Sequence, residues 1–312
     1  MRKAKYRYNM WFWFSVTALL CWSGSDLFSK LGCQDGRDKY SHLKMVTAVG
    51  LVMGLHAAWE IFARGVEIDG GVILTYLPVS LLYILSMAIG YLGLRYIELS
   101  ISSPICNSSG AIVAVLTLAS VGIGDDLPPL ALAAVALVCI GVIALGFTEA
   151  NEDEELRNAR QDSANHRYAK SWLAIVIPII YCLLDALGTF ADSRVLEVLD
   201  EDSANVAYEL TFFAVGLLCA VYVLGIKKQK LIPKQEAPKY MGALFETAGQ
   251  FFYIYALADT GHVAFSAPII SSYCIASVLW SRIFLKEKLS AKHYMSIAPV
   301  IVGIVIMGIL DI

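Results

Sequence analysis

Few residues of this 312-residue chain carry charge. Asp, Glu, Lys and Arg make up 16% of it, against roughly 25% in a soluble domain, while hydrophobic residues reach 58% against roughly 45–50%. That shortage leaves no stretch with the composition of a separate soluble domain. The seven cysteines show no CxxC spacing. Six of them (Cys21, Cys106, Cys139, Cys182, Cys219 and Cys274) lie inside apolar runs, and Cys33 falls just past one. Neither a disulfide framework nor a zinc site is implied, and no metal or cofactor is expected. The five histidines (His42, His56, His166, His262 and His293) are scattered, so nothing forms the loop cluster that a membrane enzyme would need. The first apolar run continues to Gly32 without a small-residue cleavage site, which predicts a retained helix rather than a signal peptide.

What the chain does have is apolar runs long enough to cross a bilayer, roughly 17–25 residues each. They predict helices over about 10–32, 43–63, 72–96, 100–121 and 127–147, then 171–191, 205–225, 239–258, 262–285 and 290–310. The single long polar segment, 148–170, separates the two sets. The sets also correspond residue by residue. An offset of 164 lays Tyr91 on Tyr255, Ser102 on Ser266, Pro104 on Pro268, Ile105 on Ile269 and Ser108 on Ser272. An offset of 162 then lays Leu127 on Leu289, Ala136 on Ala298, Val138 on Val300, Gly141 on Gly303 and Gly146 on Gly308. One unit of about 155 residues therefore occurs twice. Residues 1–150 and 171–312 are the expected repeats and 151–170 the linker. A five-helix unit ends on the opposite side from where it starts, so its second copy must be upside down. The expected fold is all-α: a polytopic membrane protein of ten transmembrane helices in two inverted repeats. Such symmetry suits a carrier that alternates between two conformations; a duplicated scaffold or passive channel is the competing reading.

Three motifs carry a resemblance. Leu19-Leu20-Cys21-Trp22-Ser23-Gly24 followed by Lys30, the turn from Leu94-Arg95-Tyr96-Ile97 to Ser103-Pro104, and Phe284-Leu285-Lys286-Glu287-Lys288-Leu289-Ser290 together resemble the EamA-type transporters of the drug/metabolite transporter superfamily. Lys286 stands where glycine is usual there, and the first-half counterpart, Gly124-Asp125-Asp126-Leu127, lacks the glutamate–arginine pair. The resemblance implies a permease for a small-molecule substrate. It also implies a bacterial inner membrane, the lipid bilayer as surroundings, no nucleic-acid partner and a monomer or homodimer. The family is drawn with both termini in the cytoplasm, as the basic tail (Arg2, Lys3, Lys5, Arg7) suggests. Lys and Arg concentrate, however, in the odd-numbered loops, which by the positive-inside rule argues for termini outside.

Ionisable groups inside apolar helices are costly and so are functional candidates. In helix one, Trp22, Asp26 and Lys30 share a face; an Asp–Lys pair in the favoured i, i+4 order is the structural alternative. In helix six, Asp185 follows Tyr181 by one turn. In helix eight, Glu246, Gln250 and Tyr253 form a polar stripe at i, i+4, i+7 that must face protein or a cavity. Glu60 and Glu209, near helix ends, read as solvated or interfacial. A central cavity is expected, bordered by Trp22, Tyr83, Asn107, Ser108, Tyr181, Asp185, Gln250, Ser272 and Tyr273, with Asp26 and Glu246 as further substrate contacts. Acidic groups outnumber basic ones in it. That favours a cationic or zwitterionic substrate held by carboxylates and aromatic faces. A carboxylate in a low-dielectric cavity has its charged form disfavoured, which would let it exchange a coupled proton. From the expected helix centres, Asp185 and Glu246 would lie roughly 12 Å apart in depth, as two stations on one path.

Overall fold

The computed structural model describes residues 10–33, 38–96, 106, 108–121, 129–150, 173–284 and 289–310. Among them the chain is helical, with no strand. Helix α1 is Met10–Cys33. Helix α2 is Ser41–Trp59, continuing in a wider π turn over Glu60–Arg64. Then come α3 (Gly70–Tyr96), α4 (Ser109–Val121), α5 (Pro129–Ala150) and α6 (Leu173–Val195). Helix α7 is Glu201–Ala220 with a π-form end at Val221–Ile226, α8 is Pro233–Leu257, α9 is Val263–Ser271 plus Tyr273–Phe284, and α10 is Ala291–Leu310. Most of the 148–170 linker, the 122–126 loop, Pro104 and Asn107 lie outside the described residues.

The helix ends follow from local chemistry. Asp200 caps α7 by accepting the Ser203 backbone N–H at 2.9 Å. Asp69 does the same for Val72 at 2.8 Å, where α3 begins. Gly65 closes the end of α2 with φ of 75°, a conformation that a side chain would strain. Helix α9 is interrupted at Ser272, whose N–H splits its bond between Pro268 O and Ile269 O, each at 3.1 Å. Helix α8 begins at Pro233, six residues earlier than its apolar run suggests. Proline at the first turn costs no hydrogen bond, and the polar residues that follow it are held by protein contacts.

Six stretches have the length and apolarity of a membrane span: Ser41–Arg64, Gly70–Leu92, Pro129–Thr148, Val176–Val195, Glu201–Ile226 and Thr260–Trp280. Large apolar side chains stand exposed on the outer faces. Phe62 is 87% exposed, Leu74 68% and Ile309 76%, which water would penalise and hydrocarbon suits. Helices α1 and α8 fall outside that set of six because serines and charges interrupt them. They run antiparallel and pack on each other: Trp22 lies on Gly249, Phe245 on Gly24 and Lys239 on Gly32.

The extensive packing pairs come in matched sets. Helix α1 packs on α8, as α6 packs on α3; α2 packs on α8, as α7 on α3; α1 packs on α9, as α6 on α4. The remaining large contacts join α2 to α7, α4 to α9 and α5 to α10. In the last pair the contact is reciprocal. A methyl on Gly141 would stand 2.3 Å from Val300 Cγ2 and 2.8 Å from Ser296 O. One on Gly303 would stand 2.8 Å from Val138 Cγ2 and 2.6 Å from Ala134 O. Each glycine thus admits the other helix at the position 162 residues away from its own neighbour.

Candidate functional site

The polar residues of the interior gather where α1, α6, α8 and α9 meet. On α8, Glu246, Gln250 and Tyr253 share one face, as their spacing requires. Ser25 of α1 donates to Glu246 Oε2 at 2.7 Å. Asp26, on the next position of α1, has Lys30 and the Ser277 hydroxyl as neighbours. Asp185 of α6 faces the Ser109 hydroxyl of α4. Asp185 and Asp26 both lie near enough for their charges to act on Glu246. The three are nonetheless too spread to hold a metal: no three His, Cys, Asp or Glu among the described residues are grouped closely enough.

Aromatic rings line the same region. Gly249 leaves room for the Trp22 indole, which packs 4.9 Å from the Tyr253 ring and 6.3 Å, edge-on, from Tyr273, centroid to centroid. Tyr181 lies over Gly90 and neighbours Tyr273, Asp185 and Glu246. Three buried polar atoms here have no hydrogen-bond partner among the described residues: Trp22 Nε1, Gln250 Nε2 and Tyr91 Oη. An indole N–H can only donate, and so can an amide NH2.

Of the expected cavity residues, Trp22, Asp26, Tyr181, Asp185, Glu246 and Tyr273 are half-buried and converge. Gln250 is buried beside them. Tyr83 is buried one level away, in a cluster described below. Ser108 sits apart, against Pro268 and Ser271. Ser272 is buried and donates to Ile269 O of its own helix at 2.6 Å. Asn107 lies outside the described residues. The expected 12 Å offset between Asp185 and Glu246 rests on helix centres that the structure moves. Helix α8 starts earlier and α6 ends later than their apolar runs, so each acid lies about one residue from the middle of its own helix.

Two polar clusters escape the sequence reading. In the first, Asp192 is fully buried near the end of α6 and accepts from Tyr76 Oη at 2.8 Å and Tyr83 Oη at 3.4 Å. Tyr83 and Tyr253 share a hydroxyl–hydroxyl hydrogen bond, and both reach Thr189 Oγ1, at 3.2 Å and 2.9 Å. The second joins α2 to α7. His56 Nδ1 lies 2.8 Å from Glu209 Oε1, and Arg64 donates to Glu60 Oε2 at 2.8 Å. Glu209 is 0% and Glu60 2% exposed, which corrects the expectation of a solvated Glu60 and an interfacial Glu209. The signal was the His56–Glu60 spacing. The partner on α7 has no local signature. At the opposite end of α2, Lys44 is held by Asp38 at 2.8 Å and Glu236 at 3.2 Å. Burial pushes the Asp38 carboxyl up. The Lys44 hydrogen bond, the Tyr40 N–H and the charges of Lys44 and Lys239 outweigh that and hold it below its ordinary value.

Residues 172–309 match the model of the EamA-like transporter family. That segment is similar to an EamA-type unit. With the apolar helices, the match supports a membrane transporter of the drug/metabolite kind. A solved crystal structure superposes with a TM-score of 0.68 at 13% identity, over 96% of this chain and 97% of the other, so the likeness in fold extends over both halves. No curated protein matches the sequence. The acidic cluster draws on both sides of the EamA boundary: Asp26 comes from before residue 172, Asp185 and Glu246 from within the matched segment.

Proposed function

We propose that this EamA-type protein is a secondary carrier for a small zwitterionic solute, moved by alternating access with a coupled proton. The observation that carries the reading is the pairing of two complementary features in one cluster. Asp26, Asp185 and Glu246 supply negative charge for an ammonium group, and the faces of Trp22, Tyr181 and Tyr273 suit a cation. The partnerless donors Trp22 Nε1 and Gln250 Nε2 suit a carboxylate or carbonyl on the same solute. A purely cationic solute would leave those donors unused, and an anion would meet three acids. The matched packing pairs and the reciprocal Gly141 and Gly303 contacts support ten helices in two inverted five-helix repeats, one before and one after the 151–170 linker. Inverted repeats supply two related conformations from one packing scheme.

The test uses sealed vesicles containing only this protein. Uptake of a neutral amino acid is compared with uptake of its amide, its decarboxylated amine and a simple organic anion. The zwitterion should enter fastest, and a proton gradient should accelerate it. If the anion moves as well as the zwitterion, or if nothing moves beyond empty vesicles, the reading is wrong.

A further inference from the structure

The polar stripe on α6 continues past Asp185. Thr189 and Asp192 follow it at i+4 and i+7, so all three lie on one face. Helix α8 carries Glu246, Gln250 and Tyr253 at the same spacing, and the two helices run in the same direction. Thr189 and Tyr253 join them at 2.9 Å. Asp192 therefore lies about 10 Å beyond Asp185 along α6, past the level where the two stripes meet.

Its surroundings are closed. Asp192 and Tyr76 are 0% exposed, Tyr253 2%, Tyr83 5% and Thr189 6%. Gly188 makes room for the Tyr83 ring, since a methyl there would stand 2.8 Å from Tyr83 Cε1. The groups facing the carboxyl are all hydroxyls: Tyr76 and Tyr83 from α3, Tyr253 from α8, Thr189 of its own helix, with Tyr208 of α7 behind. Among the described residues no basic side chain pairs with it. The nearest in sequence, Arg194, is turned away to Glu197 at 2.8 Å and Ser120 at 2.5 Å. Arg64 is engaged by Glu60 and Asp202. An ionised carboxyl sealed inside a membrane protein without a cation is costly. Tyr76 donates to Oδ1, and Tyr83 Oη, 3.4 Å from Oδ2 and also bonded to Tyr253, can accept a proton carried there, so what this acid can exchange is a proton.

We propose that Asp192 is a proton-binding site: a carboxyl carried neutral in a cage of tyrosine and threonine hydroxyls, taking up and giving up its proton when the contact of α6 with α3 and α8 opens. The site rests on the carrier reading for its purpose, since it locates the coupled ion away from the solute cluster. The cage closes one end of the path, and Asp185 and Glu246 hold its middle. Protonation would then stabilise the closed cage, and loss of the proton would loosen it.

The test needs no solute. Infrared difference spectra of the full chain in lipid vesicles, between mildly acidic and mildly alkaline buffer, should show a protonated-carboxyl band that disappears on alkalinisation. Asp192→Asn should remove one component of that band, which Asp185→Asn leaves in place. Tyr76→Phe keeps the ring and its packing and should shift that component to higher frequency, because the carbonyl loses a donor. An unchanged band in Asp192→Asn overturns the proposal. So does a component that answers to sodium and not to pH. If Asp192→Asn does not fold, an unmoved component in Tyr76→Phe overturns it equally. Failure here leaves solute flux intact in vesicle uptake, whereas failure of the carrier reading abolishes that flux in the native protein.

Discussion

Tyr83 and Tyr253 meet hydroxyl to hydroxyl, one from each half of the chain. A phenylalanine at either position keeps the ring and removes the same bond. Each single change should cost about 1 kcal/mol of stability, and the double change clearly less than the sum. Thermal unfolding of the four proteins in detergent closes the cycle. Strict additivity would show that the two hydroxyls do not interact.

The reciprocal contact of α5 and α10 makes a symmetric forecast. A methyl on Gly141 would meet the Ser296 carbonyl at 2.8 Å beside Val300 Cγ2, and one on Gly303 the Ala134 carbonyl at 2.6 Å beside Val138 Cγ2; the valines can rotate away and the carbonyls cannot. Gly141→Ala and Gly303→Ala should therefore both destabilise, within an overpacking range of about 1–3 kcal/mol. Gly70→Ala, with nothing within 4 Å, is the neutral control. A cost at either Gly141 or Gly303 no larger than at Gly70 would contradict this account of the contact.

Asp185→Asn and Glu246→Gln each remove one charge from the solute cluster and keep its shape. A charge-assisted contact is worth about 1.5–3 kcal/mol, so each variant should lower zwitterion uptake roughly 10- to 100-fold. Expression and thermal stability should hardly change. Uptake at the native rate in both variants would return the carboxylates to a structural role.

His56 and Glu209 are a pair whose removal should be costlier than its replacement. His56→Leu leaves a fully buried carboxylate with only the Asn205 amide, 3.2 Å away, as donor and should cost about 3–5 kcal/mol, while His56→Leu with Glu209→Leu should recover most of that. A double variant no better than the single one would mean that the pair is not coupled.

Asp38 gives a pH dependence with a definite sign. Its folded-state value lies below the ordinary 3.8. It therefore contributes stability above pH 3.8, and that contribution disappears as pH falls through the lower folded value. Asp38→Asn should flatten the acid limb of a stability–pH curve and leave the neutral-to-alkaline limb unchanged. An unaltered acid limb would show that Lys44 does not hold this carboxylate.

The helices were legible because apolar runs are long and uninterrupted, and most ends fall within a few residues of the apolar boundaries. The stripe Glu246–Gln250–Tyr253 was legible from spacing alone. Its counterpart on α6 was not. A helix drawn to stop at residue 191 leaves Asp192 in what reads as a polar boundary, Asp192-Ser193-Arg194. The tyrosines of α3, more than a hundred residues earlier, and Tyr253 of α8 bury it. Glu209 failed for the same reason: its partner is on another helix, and periodicity reports a face without reporting what covers it. The matched offsets, by contrast, reached tertiary structure. Gly141 and Gly303 correspond in sequence and also meet equivalent neighbours.

The mutual dependence of α1 and α8 bears on how the chain enters the membrane. Ser25 and the glutamate that accepts its hydrogen bond are 221 residues apart. At a synthesis rate of about 5–20 residues per second, α1 waits roughly 10–40 s before its partner leaves the ribosome. During that interval Asp26 and the serines of α1 have no α8 to face. Helix α1 is thus secured only after the helices between it and α8 have been made. It must linger at the insertion machinery or at the bilayer interface, where a truncated chain would be open to quality-control proteolysis until residue 257 has emerged.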